Sequence, residues 1–395
     1  MNTTAFPRLR DEVIVRPFDG GGKQSRYVVA IDGQHFIVAP AVAAILDEAR
    51  HCVMSDGVFE TLAQRVSHRL GTCITPRQVE TLMRERVPKA LFESTTGIDA
   101  ERSPLIWQRL LFSGTRLKSA LALASPLFTL RVAIGACALV VLIDVLVALQ
   151  ASGHGLEAAG IADYSLSLAL TVAGIFIHEL GHLCACHRFG ARHGGIGCGI
   201  YWCLPAFYAE VHGAWTLQRI QRAAVDAGGV YLQFLFCGVL GVLYLLSLAP
   251  ALLSAIVLSH LLMLHTLNPV LKFDGYWLLS DLTGIHNLHR RVRDTARGLL
   301  HRRHVPRGEA ALFASFVIIA LAYLAYLLAV LGQNLGWSAA SFSSAIAAAD
   351  LSLPALLPAL GKGALLALML TMAFGIASAL GRAGEKVLTE TPNEH

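Results

Sequence analysis

Charge is what this chain has least of. Of its 395 residues 15% are Asp, Glu, Lys or Arg, against 55% hydrophobic. That balance is too apolar for a water-soluble domain of this length and suits several membrane spans. No segment interleaves basic and aromatic residues along a surface, which argues against a nucleic-acid partner. The first residues include Arg8, Arg10, Asp11 and Glu12 with no apolar core, so a secretory signal peptide is not expected. The 8 cysteines follow no secreted-disulfide spacing. Most lie in or beside apolar runs (Cys137, Cys184, Cys186, Cys198, Cys203 and Cys237) and read as small packed thiols.

Long apolar runs are what the sequence does have. Length and hydropathy predict six spans, at about 127–149, 164–186, 227–248, 252–269, 310–331 and 362–381. Their loops alternate in charge. Arg102, Arg109, Arg116 and Lys118 precede the first span, and Arg188, Arg192, Arg219 and Arg222 lie between the second and third. A cluster from Arg290 to Arg307 lies between the fourth and fifth, whereas 150–163, 249–251 and 332–361 hold no Arg or Lys. The positive-inside rule therefore predicts both termini in the cytoplasm; the expected location is a bacterial cytoplasmic membrane. The Arg290–Arg307 cluster is most simply an anchor on anionic lipid, with recruitment of substrate as the alternative. His286, His289, His301 and His304 beside it are expected to be solvated.

Ahead of the first span, Tyr27–Ile31 and His35–Val38 flank Asp32-Gly33-Gln34, a strong hairpin signal because Asp and Gly tolerate positive φ. Helices are predicted from Pro40 to Ala49, from Val58 to Leu70, and from a Thr75-Pro76-Arg77-Gln78 capping box to about Val87. A hairpin and three short helices make a small winged-helix-like α+β domain. The order, with the phrases HFIVAPAVAAIL and GTCITPRQVETLM, resembles the recognition element of ribosomally made, modified peptides, as in the peptide chaperone of pyrroloquinoline-quinone biosynthesis. That resemblance implies capture of a leader peptide as an added strand; a stabilising domain that binds nothing is the alternative. The expected organisation is a recognition domain at 1–90, a linker and interfacial helix at 91–126, the six-span domain at 127–387 and a polar tail at 388–395.

The second span carries His178-Glu179-Leu180-Gly181-His182. Histidines four apart stand about 40° from alignment on a helix, so both imidazoles can hold one zinc ion, leaving positions for a third ligand and a water. Glu179 is placed to accept a proton from that water. Ionisable groups in an apolar helix are costly unless paired, which strengthens the metal reading. The charge argument puts the two histidines near the cytoplasmic end of their span and predicts a third ligand just past the fourth. Asp274 stands there, in Asn268-Pro269-Val270-Leu271-Lys272-Phe273-Asp274-Gly275. Glu210 and Asp226 are rival ligands, and a partnership with Lys272 is the structural alternative for Asp274. Pro269 is expected to break the fourth helix, and Gly275 to permit a tight turn. Asn268 can hold a substrate backbone or a developing oxyanion. His265, one turn earlier, is a candidate oxyanion or supporting residue, or a neutral His bonded to another helix. Cys184 and Cys186 invite a regulatory reading but are more simply packing residues.

FIHELGHLCACHRFGARHGGIG together with LNPVLKFDGYWLLSDLTGIHNL resembles the site-2 protease family of intramembrane zinc metalloproteases. The resemblance covers about residues 100–300. It implies His178, His182 and Asp274 as zinc ligands, Glu179 as catalytic base and Asn268 as a substrate contact. Four residues separate Pro269 from Asp274 where the family has two or three, which leaves the role of Asn268 open. The FDGYW form and WCLPAFYAEVHGAW look closest to a branch found with peptide-maturation and export systems. The segment from Gly194 to Val211 reads as a re-entrant loop or hairpin that could guide an extended substrate.

The sequence thus predicts a mainly α membrane protein and a zinc endopeptidase that cleaves near the cytoplasmic face, in maturation or export of a ribosomally made peptide. Its expected partners are a peptide or membrane-protein substrate, a leader peptide, the bilayer, and transporters or modifying enzymes. Regulated proteolysis of a membrane-anchored signalling protein is one alternative; a metal-containing receptor or export partner without activity is another.

Overall fold

The structure is a computed structural model. It describes residues 9–347 apart from 11, 21–24, 32–33, 51, 53–56, 89–90, 93–104, 154–160, 202–203, 286 and 303. The expected sixth span and the polar tail lie outside the described residues. Two compact units are formed, one of Met1–Ala136, Ile175–Leu232 and Asp281–Gly284, the other of Cys137–Gly174, Gln233–Ser280 and Ile285–His395.

The first unit begins with a three-stranded antiparallel sheet, β1 (Ile14–Phe18), β2 (Arg26–Ile31) and β3 (Gln34–Val38), in that order. The predicted hairpin is β2–β3, its strands paired from Tyr27 opposite Val38 to Ile31 opposite Gln34. Strand β1 was not expected, because Arg16 and Pro17 interrupt its apolar run. Pro17 is tolerated at a sheet edge, where its missing N–H breaks no inner ladder. Helices α1 (Pro40–Ala49), α2 (Val58–Leu70) and α3 (Pro76–Glu85) follow, within two residues of the predicted limits. At the start of α3 the Gln78 N–H donates to Thr75 Oγ1 at 3.3 Å, and the Thr75 N–H donates to Gln78 Oε1 at 2.9 Å. One apolar cluster unites the sheet and all three helices through Val29, Ile45, Leu62, Val66, Val79 and Met83. Each such side chain contributes about 1.5–3 kcal/mol on burial.

Further along, β4 (Leu105–Phe112) pairs antiparallel with β5 (Ile196–Tyr201), which pairs with β6 (Leu204–Ala209). Residues 105–112 are therefore a strand, whereas the sequence reading placed them in an interfacial stretch; helix α4 occupies Gly114–Ala124. The partner of β4 lies about ninety residues away, out of reach of any local pattern. The β5–β6 pair is the hairpin expected between Gly194 and Val211. Phe176 meets Phe112 and Phe207 edge-on, with centroids 5.7 and 5.8 Å apart.

The long helices are α5 (Leu130–Gly153), α6 (Ile161–Arg188), α7 (Arg219–Ser247), α8 (Pro250–Thr266) and α11 (Arg307–Ala347). The shorter α9 (Asp274–Thr283) and α10 (Leu288–Leu300) lie between α8 and α11. Among the described residues, four helices are long and apolar enough to cross a membrane, within α5, α6, α7 and α11. With the composition, they mark a helical membrane protein with a small sheet region. The fourth predicted span is the shorter apolar helix α8, of 17 residues. Helix α11 continues through 332–347, where a loop was expected. The Ala-rich sequence there offers no proline until Pro354 and can sustain a helix.

In the second unit, Val147, Leu240, Tyr244, Ala255 and Ile256 form one small core, and Tyr276, Leu288 and Phe316 another. His289, expected to be solvated, sits beside the latter, its ring centroid 4.6 Å from that of Tyr276 and 5.7 Å from that of Phe316. Its burial, with Lys272 nearby, lowers its pKa. His301 and His304 are exposed, as expected.

Candidate metal centre

Helix α6 carries no proline and is apolar along most of its length, so nothing interrupts it before Arg188. His178 and His182, one turn apart, are each only 7% exposed. Their Nε2 atoms lie 3.1 Å apart and their ring planes are inclined at 78°. Two nitrogens held tetrahedrally at ~2.0–2.1 Å from one zinc ion would stand about 3.3 Å apart, close to what is found.

The tautomer of His182 is set by its other nitrogen. Nδ1 lies 2.8 Å from the Val225 carbonyl oxygen, which can only accept, so Nδ1 carries the proton and Nε2 keeps its lone pair for a metal. Liganding atoms of His178, His182 and Asp274 all lie within 4.8 Å of one another. Neither Glu210 nor Asp226 belongs to this group. The Glu210 carboxylate instead accepts the Gly195 N–H at 3.2 Å.

Glycines make the room. A Cβ on Gly181 would strike the Gly228 carbonyl and come within 2.9 Å of Leu232 Cβ, so α6 and the first turns of α7 meet backbone to backbone. A Cβ on Gly229 would lie 2.5 Å from both histidine Nε2 atoms. The space at which the two nitrogens converge is therefore kept by an absent side chain. The donor set, its burial and this cradle fit a zinc ion.

Sequence reasoning gave Gly229 no role. The available signal was a Gly-Gly pair inside an apolar helix of 29 residues, where each glycine costs about 1 kcal/mol relative to alanine and calls for a compensating use.

Glu179 follows His178 on α6 and is half-buried. Asp274 opens α9 and is also half-buried. The expected roles of Pro269 and Gly275 change in detail. Helix α8 ends at Thr266, so Pro269 lies beyond it and breaks no helical hydrogen bond. Gly275 has an ordinary φ; it is small because a Cβ would collide with the Leu267 backbone.

Asn268 is 5% exposed. Its Oδ1 accepts the Val270 N–H at 3.0 Å, a local turn bond, while its Nδ2 has no hydrogen-bond partner among the described residues. His265 Nδ1 is hydrogen bonded to the Tyr323 hydroxyl of α11. Cys184 and Cys186 are fully buried, and Cys186 Sγ lies 3.8 Å from the Arg192 carbonyl.

No protein-family model matches the chain, and neither does any solved structure. Among curated proteins it is similar to the “Putative peptide zinc metalloprotease protein YydH” of Bacillus subtilis (strain 168), with 28% identity over 121 residues. The match takes in 30% of this chain and 48% of the relative, so the chain spans about half the length of the curated relative it matches. The likeness hints at a zinc metalloprotease.

Proposed function

We propose that the chain is an intramembrane zinc endopeptidase of the site-2 protease kind that cleaves near the cytoplasmic face, in maturation or export of a ribosomally made peptide. The observation that carries the reading is the convergence of one ring nitrogen each from His178 and His182 and an Asp274 oxygen within 4.8 Å, with the two histidine Nε2 atoms beside space that Gly229 leaves open. The name of the curated relative supports the same chemistry.

In this reading His178, His182 and Asp274 hold zinc, and a coordination position stays open for reaction. When bound, the ion polarises the scissile carbonyl and makes a water more acidic. Glu179 accepts the proton of the attacking water and later delivers it to the leaving amine. Asn268 Nδ2, a buried donor with no partner among the described residues, donates to a carbonyl of the substrate backbone and fixes its register. Strands β5 and β6 keep the substrate extended, since a helical amide is shielded by its own hydrogen bonds. The amino-terminal sheet and helices, residues 1–90, act as a recognition element that captures a leader peptide by strand addition. The excess of arginine in alternate loops puts both termini in the cytoplasm.

The test is co-expression with the short peptide encoded nearest its gene, followed by mass spectrometry of that peptide. Wild type is expected to release a trimmed product. Glu179→Gln is expected to accumulate the uncut precursor while keeping its zinc. Trimming by Glu179→Gln equal to that of wild type would overturn the mechanism.

A further inference from the structure

Arg222, in the first turn of α7, is 3% exposed, and a buried guanidinium is tolerated only when its N–H groups find partners. It finds them on separate parts of the chain. Nε donates to both carboxylate oxygens of Asp281 at 3.0 Å, and Nη2 to Asp281 Oδ1 at 2.8 Å. Nη1 donates to the Leu217 carbonyl at 2.9 Å and Nη2 to the Asp19 carbonyl at 2.8 Å. The Phe18 ring lies against the guanidinium, its centroid 4.5 Å from the central carbon.

The segment after β1 reaches α7 a second time. Asp19 Oδ2 accepts the Arg219 N–H at 3.1 Å, one of the donors a helix start leaves free. Nearby, Trp215 stacks on His35 of β3 with centroids 3.9 Å apart.

What Arg222 fastens is the part of α7 that meets the histidines. Arg222, Val225 and Gly229 stand at positions i, i+3 and i+7, one stripe of the helix. Val225 supplies the carbonyl that orients His182, and Gly229 supplies the space for both Nε2 atoms. Asp281 lies seven residues after Asp274 along α9, again about two turns on one face. One arginine thus joins the helix that orients a histidine to the helix that begins with the carboxylate, and ties both to the amino-terminal sheet.

We infer that Arg222 is a positioning residue for the metal centre, coupling the amino-terminal sheet to the orientation of His182 and the placement of α9. The inference rests on the metal-centre reading given above. Lysine in its place can keep an ion pair with Asp281, but it lacks the planar fork that reaches the Leu217 and Asp19 carbonyls together.

The test uses the full-length protein in lipid nanodiscs, with zinc affinity measured by chelator competition and the visible spectrum recorded after cobalt substitution. Arg222→Ala is expected to weaken zinc binding about 10–100-fold, the usual cost of losing a supporting contact behind a ligand, and to shift the cobalt bands. Arg222→Lys is expected to fall between it and wild type. A folded Arg222→Ala protein with wild-type zinc affinity and cobalt spectrum, whatever its melting temperature, would overturn the inference. Should Arg222→Ala fail to fold, the pair Arg222→Met with Asp281→Leu replaces the buried ions by apolar side chains of similar size. Unchanged zinc affinity in that double variant would equally overturn it, and a loss of the same order would uphold it. A wild-type protein that binds no zinc would instead defeat the metal-centre reading itself.

Discussion

The amino-terminal sheet with its three helices and the long apolar helices are held together by different means. In the former, one apolar cluster runs from Leu9 to Phe92 and includes fully buried Val29, Ile45, Leu62 and Val66. In the latter the clusters are small, and only 11% of the spanning stretch of α5 is buried. Where lipid surrounds a helix, expelling water offers no drive for helices to associate, so close fit and polar contacts take over. The glycines show it. A Cβ on Gly238 would come within 2.6 Å of Val140, and one on Gly241 within 2.6 Å of Ile143. At Gly181, Gly228 and Gly229 the same device shapes the candidate metal centre. A large side chain is worth most in the first region, and a missing one in the second.

The sharpest way to break this contrast is to add one methyl group. Gly229→Ala puts a Cβ 2.5 Å from both Nε2 atoms and is expected to weaken zinc binding about 100-fold, measured by chelator competition, with the helix content in circular dichroism unchanged. The converse experiment removes apolar volume from the other region. Leu62→Ala, at a fully buried site, should cost about 2–5 kcal/mol in thermal or urea unfolding of the amino-terminal region. Zinc affinity measured well below that transition should stay at the wild-type value.

Acid offers a milder probe. Burial, with His212 nearby, lowers the His35 pKa to about 4, from an ordinary value of 6.5. The folded state therefore holds His35 neutral, and the unfolded chain takes up a proton first as pH falls. The stability tied to neutral His35 is complete above pH 6.5 and is lost progressively between pH 6.5 and 4. Carrying the pH from about 7 down through the folded value of about 4 should protonate His35 and loosen the His35–Trp215 stack. The readout is the Trp215 fluorescence, isolated by subtracting a Trp215→Phe variant; a flat signal would show that His35 does not hold the stack. The smallest effect belongs to Gly71, the left-handed residue that ends α2 at φ 65° with nothing within 4 Å of an added Cβ. Gly71→Ala should cost about 1 kcal/mol in the same unfolding experiment and leave zinc affinity alone.

The two regions also differ in how much of them the sequence discloses. Helices α1, α2 and α3 are legible because periodicity, Pro40 and the Thr75–Gln78 capping box are local signals. His178 and His182 are legible because a spacing of four is itself the geometry of a helix face. Asp274 could be sought just past the fourth predicted span because the alternation of loop charge suggests an order for the spans. What stays hidden is set by distant pairing. Strand β4 depends on β5, and β1 looks too interrupted to be a strand until its place at a sheet edge is known. Arg222 reads as one more loop arginine, although its partner Asp19 lies 203 residues away. Gly229 carries no chemistry of its own and matters only through what approaches it. His289 reads as solvated because the rings of Tyr276 and Phe316 reach it from other helices.

The most direct measurement is zinc per chain, determined by elemental analysis of the purified full-length protein and of His178→Ala, His182→Ala and Asp274→Ala. One zinc ion in wild type and a loss in all three variants is the predicted result. Full zinc in Asp274→Ala would contradict the three-ligand centre on which the proposed endopeptidase rests.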